Sequence, residues 1–135
     1  HAAYSQANKI NGREPLTLSR TDAQARGLKA GDTVRVFNDR GACLAGLRVS
    51  DALCPGVARL STGAWFDPTN WLATGASNVE KHGNPNTLTP DIGASRLSKG
   101  CIPQPCLVQV DACPDPAGPT PYQLPVLEQR ASGSP

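Results

Sequence analysis

The sequence lacks methionine and has few aromatic residues, so its core has to be built from small aliphatic side chains. None of the 135 residues is Met, and only 4% are Phe, Trp or Tyr. The 13 Gly and 13 Pro indicate many tight turns instead. A core of Val, Leu, Ile and Ala between tight turns suits a small barrel. At this length we expect one compact domain, since domains commonly contain about 100–150 residues.

Runs of one charge and long apolar runs are also missing. The formal net charge is +2, and lysines and arginines are spread along the chain without a cluster. This excludes a nucleic-acid-binding stripe and a polybasic membrane anchor. No apolar segment approaches the roughly 18 residues needed to cross a bilayer. The start at His1 has neither the basic nor the apolar region of a signal peptide, and it is compatible with a fragment.

Paired cysteines and catalytic motifs are absent as well. The five cysteines are an odd number without a C-x-x-C pair, which argues against a closed disulfide framework and against a zinc site. Cys43 and Cys106 fall in apolar strand patterns and are interpreted as small buried hydrophobic residues. The two histidines have no nucleophile motif beside them, and no phosphate-binding glycine pattern is present. The residues therefore predict a binding module and no catalytic site.

The alternation of apolar residues predicts a mainly β chain with one short helix. Thr21 and Gln24 have the spacing of a capping box, and Gly27 supplies a helix stop, so a helix of two turns is expected between them. Strands are predicted at residues 14–19, 33–38, 43–50, 57–61 and 106–110. The whole chain divides into a lead-in (1–12), a barrel domain (13–112) and a Pro-rich tail (113–135).

Residues 62–100 lack a regular period and form a long excursion, which in a compact domain is usually functional or disordered. A turn of helix is predicted at 89–91. Within the excursion lies the amide loop, residues 81–89 (KHGNPNTLT), which contains a single aliphatic residue. Its asparagine side chains donate and accept hydrogen bonds without a fixed charge, which suits a large polar cofactor. The alternative is that Asn84 and Asn86 merely satisfy backbone groups in a turn.

Gly83 and Pro85 are expected to shape this loop. Gly83 lets the backbone approach a ligand closely, because glycine has no Cβ. Pro85 stiffens the turn and favours an extended Asn84, so that Asn86 is held with little freedom.

Five blocks in this order resemble the C-terminal domain of the dimethyl sulfoxide reductase family, molybdenum enzymes with a bis(molybdopterin guanine dinucleotide) cofactor. Within the family, the G-A-W and G-[ND]-P-N-x-L-T signatures resemble the branch of biotin sulfoxide, trimethylamine N-oxide and dimethyl sulfoxide reductases. The similarity runs from about Gly12 to Val110. The blocks are 23–31 (AQARGLKAG), 32–41 (DTVRVFNDRG), 61–68 (STGAWFDP), 82–89 (HGNPNTLT) and 100–110 (GCIPQPCLVQV).

This resemblance implies a double-psi β-barrel of the aspartate-decarboxylase-like type that covers part of the dinucleotide. By matched position it implies cofactor contacts from Asn86 first and Gln104 second, with His82, Asn84 and Thr87 as further candidates. It also implies that the rest of the reductase is a partner and that the substrate is a small S-oxide or N-oxide. Trp65 falls in a block that lies near the substrate funnel in this branch, with packing as a core aromatic as the alternative.

The sequence also departs from the family pattern. The family's His-Ser-Gln motif, expected upstream of residues 13–15, is absent, and so is the larger part that ligates molybdenum. We therefore expect the chain to be inactive alone and to bind cofactor weakly, since affinity needs many convergent contacts. Unpaired cysteines favour the cytoplasm, with the periplasm as the alternative. Two other hypotheses are a free-standing interaction module and a decarboxylase-type barrel. The second needs self-cleavage at a Gly-Ser or similar bond, for which Gly133–Ser134 near the end of the tail is poorly placed.

Overall fold

The computed structural model describes residues 3–73, 77–97, 100 and 105–121. Within them the chain forms a six-stranded sheet with short helices, so the prediction of a mainly β fold is confirmed. Gln104 and the Gly133–Ser134 bond lie outside the described residues. The elements are α1 (Ala3–Asn8), β1 (Pro15–Leu18), α2 (Arg20–Ala25), β2 (Thr33–Phe37), β3 (Ala42–Val49), β4 (Arg59–Leu60), β5 (Val79–Glu80), a 3₁₀ turn (Pro85–Thr87) and β6 (Gln109–Ala112).

The central strand of the sheet is β3. It forms an antiparallel hairpin with β2, and on its other edge it runs parallel first to β5 and then to β1. The order across the sheet is β4-β1-β3-β2-β6. Among the described strands β4 and β6 do not pair with each other, so the sheet is open there.

The buried core has nearly the composition that the sequence predicts. Leucine, valine and alanine supply it together with Cys43, whereas isoleucine, which was also expected, contributes no buried residue in the described part. Cys106 is partly buried and packs against this core. The core residues are Leu16, Leu18, Ala23, Leu28, Val34, Val36, Cys43, Ala45, Leu47, Leu88 and Val110.

Helix α2 begins two residues earlier than predicted. Its N-cap is Ser19, whose side chain accepts a hydrogen bond from the Asp22 N–H (3.0 Å) and donates one to the Asp22 carboxylate (2.7 Å). The capping box assigned to Thr21 and Gln24 is therefore wrong, because Ser19 and Asp22 form a competing pair with the same spacing. The helix stop at Gly27 is confirmed, since this residue has a φ of +65°.

Four further predictions need correction. The lead-in contains helix α1, which buries none of its residues. The helical turn expected at 89–91 lies instead at Pro85–Thr87, because the Asn84 side chain caps it there. Strand β6 begins at Gln109, three residues later than predicted, and β4 spans only two residues.

No helix in the described part of the chain has the length and apolar character needed to cross a membrane.

The different exposure of two cysteines, Cys43 in the core and Cys54 at the surface, provides a test of the core described above. Burial raises the pKa of the Cys43 thiol to about 12, and the charge of the nearby Glu80 adds to the rise, whereas Cys54 is exposed. At pH 8 we expect iodoacetamide to modify Cys43 about a hundredfold or more slowly than Cys54, because the thiolate is the reactive form. Peptide mass spectrometry measures both rates, and in urea they should become similar. Equal rates in the folded protein would contradict the buried position of Cys43.

Candidate functional site

The amide loop is folded around a carboxylate of its own chain. Glu80, at the end of β5, is 0% exposed. Its two oxygens accept hydrogen bonds from the backbone N–H groups of His82 (2.8 Å), Gly83 (2.8 Å) and Asn84 (2.7 Å). Successive N–H groups that converge in this way form an anion-binding nest, and hydrogen bonds to a charged group are among the stronger ones. Glu80 therefore determines the backbone path of the first half of the loop.

Gly83 brings the loop close to the sheet. It has a φ of +87°, and an added Cβ would lie 3.1 Å from the Glu14 Cβ and 3.2 Å from the Leu44 carbonyl oxygen. The expected close approach of the backbone is therefore present, but the neighbour is the protein's own chain. Glycine is required here for both its conformation and its size.

The two asparagines of the loop have different roles. Asn84 is buried, and its side chain accepts from the Asn86 N–H (3.0 Å) and donates to the Ala64 carbonyl (3.1 Å). Its backbone is extended before Pro85, as predicted. Asn86 is exposed, and its side-chain amide makes no hydrogen bond to any described residue. The interpretation as a turn-stabilising residue thus fits Asn84 and does not fit Asn86.

The other predicted residues lie around this arrangement. The Thr87 hydroxyl donates to the Asn84 carbonyl (3.0 Å). The His82 ring is buried beside Asp67, with 3.2 Å between Nε2 and Oδ2. Trp65 is 49% exposed, so it is not a core aromatic. The structure therefore brings His82, Asn84, Asn86 and Thr87 together in one loop.

Asn86 lines an open groove of about 930 Å³. Leu16, Val36 and Leu88, all buried, supply part of its apolar lining. Its walls come from three segments, residues 56–60 with 62, residues 85–93 except 87, and residue 100 with 105–108 except 107. Pro105, the described neighbour of Gln104, is in the third wall, whereas His82, Asn84, Thr87 and Trp65 do not line the groove.

Asn38 connects two of these walls. Its side-chain amide donates to the carbonyls of Leu88 (2.9 Å) and Leu107 (3.2 Å), and its oxygen accepts from the backbone N–H groups of Arg40 and Gly41. The apolar alternation in the sequence places Asn38 only at the end of a strand, and the amide loop as defined from the sequence begins one residue after Glu80. Sequence patterns therefore identify neither of the two residues that hold the loop. The acidic side chain directly before a Gly- and Asn-rich turn was the available signal for Glu80.

A second polar cluster fastens the C-terminal part to the loop. Asp67 forms an ion pair with Lys81 (3.0 Å) and accepts from the Thr120 N–H (3.3 Å), and its Oδ2 lies 3.2 Å from His82 Nε2. Lys81 also donates to the Thr120 hydroxyl (3.1 Å). Among the described residues, no group of three or more His, Cys, Asp or Glu side chains is arranged to hold a metal ion. Because the cluster joins Asp67 and Lys81 to Thr120, we interpret it as a structural link between the loop and the C-terminal part.

A mainly β fold and an open groove, with an amide at its edge that has no side-chain hydrogen bond to a described residue, are features of a ligand-binding domain. Residues 1–106 match the family described as "Molydopterin dinucleotide binding domain", and the chain belongs to this family. Its cofactor is molybdopterin guanine dinucleotide with molybdenum. The resemblance to the dimethyl sulfoxide reductase family is thereby confirmed.

Three relatives illustrate the similarity. Biotin sulfoxide reductase of Cereibacter sphaeroides is 46% identical over 117 residues, which cover 87% of this chain and 15% of that protein. Trimethylamine-N-oxide reductase 1 of Escherichia coli O157:H7 is 47% identical over 108 residues, 80% of this chain and 12% of that protein. Trimethylamine-N-oxide reductase of Vibrio vulnificus CMCP6 is 45% identical over 102 residues, 76% and 12% respectively. The chain thus spans 12–15% of the length of these relatives.

The role of Glu80 can be tested by changing its charge alone. Glu80→Gln replaces one acceptor oxygen by an NH₂ group that faces backbone N–H donors, so buried donors lose their partner. We expect the free energy of unfolding to fall by about 3 kcal/mol. Urea denaturation measures this loss, and Asp39→Asn on the exposed β2–β3 turn is the matched control. A loss no larger than that of the control would contradict the proposed role of the carboxylate.

Asp67 should make the stability depend on pH. Burial opposes its ionisation, but hydrogen bonds from Thr120 and Lys81 and the charge of Lys81 hold its pKa below the ordinary value of 3.8. Because the folded-state pKa is lowered, this stabilisation is complete above the ordinary value and is lost as the pH falls through the folded value. We expect Asp67→Asn to lower the free energy of unfolding by about 1 kcal/mol at pH 7.

The difference between Asp67→Asn and the original protein should stay constant from pH 7 to about 5 and shrink as the pH falls below 3.8 towards the lowered folded-state pKa of Asp67. Urea denaturation at several pH values measures it, again with Asp39→Asn as the control. A difference that stays constant down to pH 3 would show that the loss comes from packing and not from the charge of Asp67.

Proposed function

We propose that this chain is the cofactor-binding domain of a molybdenum-dependent S-oxide or N-oxide reductase, and that its groove receives part of the dinucleotide. The observation that carries the proposal is the position of Asn86. Its amide has two N–H donors and one acceptor available at the edge of a groove, while the backbone behind it is held by Asn84 and Glu80.

The residues of the groove fit such a ligand. Ligand sites are typically apolar concave surfaces with a few placed polar groups, and this groove combines an apolar lining with Asn86, Arg59 and Asp91. Asn86 is the proposed direct contact, and Gln104, beside Pro105 of the third wall, is the proposed second contact. His82, Asn84 and Thr87 belong to the same site and act by holding the loop in which Asn86 lies.

The remaining features of the site follow from the proposed parent enzyme. The rest of the reductase is the partner of this domain and supplies the other contacts to a bis(molybdopterin guanine dinucleotide) cofactor. The bound cofactor supplies the two-electron, oxygen-accepting chemistry, and the protein supplies binding and orientation. The isolated chain is therefore inactive. The half-exposed Trp65 belongs beside the substrate funnel.

We also propose that the sheet is part of a double-psi β-barrel formed by residues 13–112. The parallel pairing of β3 with both β1 and β5 supports this, because it needs crossovers between segments distant in sequence. Residues 1–12 and 113–135 are its lead-in and tail. The free thiols of the described cysteines favour the cytoplasm over the periplasm.

The proposal is tested by titrating guanosine diphosphate into the ¹⁵N-labelled domain at millimolar concentrations. We expect the amide resonances of residues 84–89 to shift together. Asn86→Ala should weaken binding about fivefold, because one or two hydrogen bonds are lost. Gln24→Ala, which removes an exposed amide on α2, is the matched control. Shifts confined to other parts of the sheet, or equal affinity of Asn86→Ala and the control, would overturn the assignment.

A further inference from the structure

The groove carries one described side chain of each charge. Arg59 is the cation and Asp91 is the anion among the described residues that line it. They belong to different walls, because Arg59 lies in β4 and Asp91 in the segment after the amide loop. The groove is therefore electrostatically asymmetric.

The backbone of Arg59 is fixed in strand β4, but its side chain has no charged partner in the described structure. Its strand β4 is the edge of the sheet, where Arg59 pairs with Thr17 of β1. The arginines nearby in the fold are engaged: Arg20 forms an ion pair with Asp51 (2.7 Å), and Arg26 forms one with Asp22 (3.6 Å). No ion pair or hydrogen bond of the Arg59 side chain to a described residue is present. Its guanidinium is thus available to a ligand in the groove.

We propose that Arg59 binds the diphosphate of the nucleotide whose polar edge contacts Asn86. This inference rests on the proposed function. It assigns a protein contact to the diphosphate end of the nucleotide, for which the amide loop provides none. A guanidinium matches phosphate oxygens with parallel hydrogen bonds, and it remains charged at every relevant pH. Thr62, on the same wall, adds a hydroxyl donor.

Charge also determines the orientation of the ligand. Asp91 repels phosphate, so the diphosphate is expected at the wall of Arg59 and not at the wall that carries Asn86 and Asp91. The uncharged end of the nucleotide then takes the wall of Asn86, whose amide has no charge preference.

The experiment compares guanosine diphosphate, guanosine and inorganic pyrophosphate by NMR titration of the folded domain. We expect guanosine diphosphate to bind about tenfold more tightly than guanosine at low salt, because of the added charge-assisted hydrogen bonds. Arg59→Gln should remove this difference, and Arg59→Lys should restore part of it. Arg40→Gln, an exposed arginine outside the groove, is the matched control and should keep the full difference. The side-chain Nε–H resonance of Arg59 should shift with guanosine diphosphate and stay unchanged with guanosine.

The other outcomes distinguish this inference from the proposal on which it rests. If guanosine diphosphate shifts residues 84–89 but Arg59→Gln binds it as tightly as the control, Arg59 is not the phosphate partner and the groove assignment stands. If pyrophosphate alone shifts Arg59 as strongly as guanosine diphosphate does, with residues 84–89 unaffected, the site binds free anions and the inference fails. If no ligand shifts residues 84–89, both proposals fail.

Discussion

The buried carboxylate of Glu80 is the interaction on which the site depends. The amide loop has one core side chain, Leu88, so hydrophobic packing alone cannot determine its conformation. Three backbone N–H groups turn inward to Glu80 instead, and a buried charge is tolerated only when it is hydrogen-bonded in this way. Because β5 places Glu80 opposite Cys43 in the central strand, the loop is attached to the most buried part of the sheet.

This attachment explains how a short loop can both stabilise the fold and hold an exposed amide at the edge of the groove. Asn84 lies inside the turn and uses its side chain on backbone partners, whereas Asn86, two residues later, is exposed and lines the groove. The 3₁₀ turn at Pro85 separates the two residues, so that one is buried and the other exposed. Asn38 secures the opposite end of the loop through the Leu88 carbonyl. An exposed amide in a rigid turn loses little conformational freedom when it binds.

The open groove is consistent with a chain that matches only a small part of its relatives. The chain matches a molybdopterin dinucleotide-binding family over residues 1–106 and spans 12–15% of the length of its relatives. The groove is open and has few polar groups for a ligand as large as a dinucleotide. Under the proposed function, the groove would enclose only part of the dinucleotide, so tight binding would require further contacts from the rest of the reductase.

Local patterns in the sequence determined the strands of the hairpin, the stop of α2 at Gly27 and the extended backbone of Asn84, because alternation, a left-handed glycine and a following proline act on neighbouring residues. Ordered motifs were enough for the family, whereas the cofactor contact of Asn86 stays a prediction. Only the tertiary structure decided that Glu80 holds the loop, that Asn84 is internal and that Arg59 shares a groove with Asn86. These contacts depend on the pairing of β5 with β3 and of β4 with β1, which brings together segments distant in sequence. A single acidic residue is not part of a periodic pattern in the sequence, so its position does not indicate which backbone N–H groups will bind its carboxylate in the folded protein.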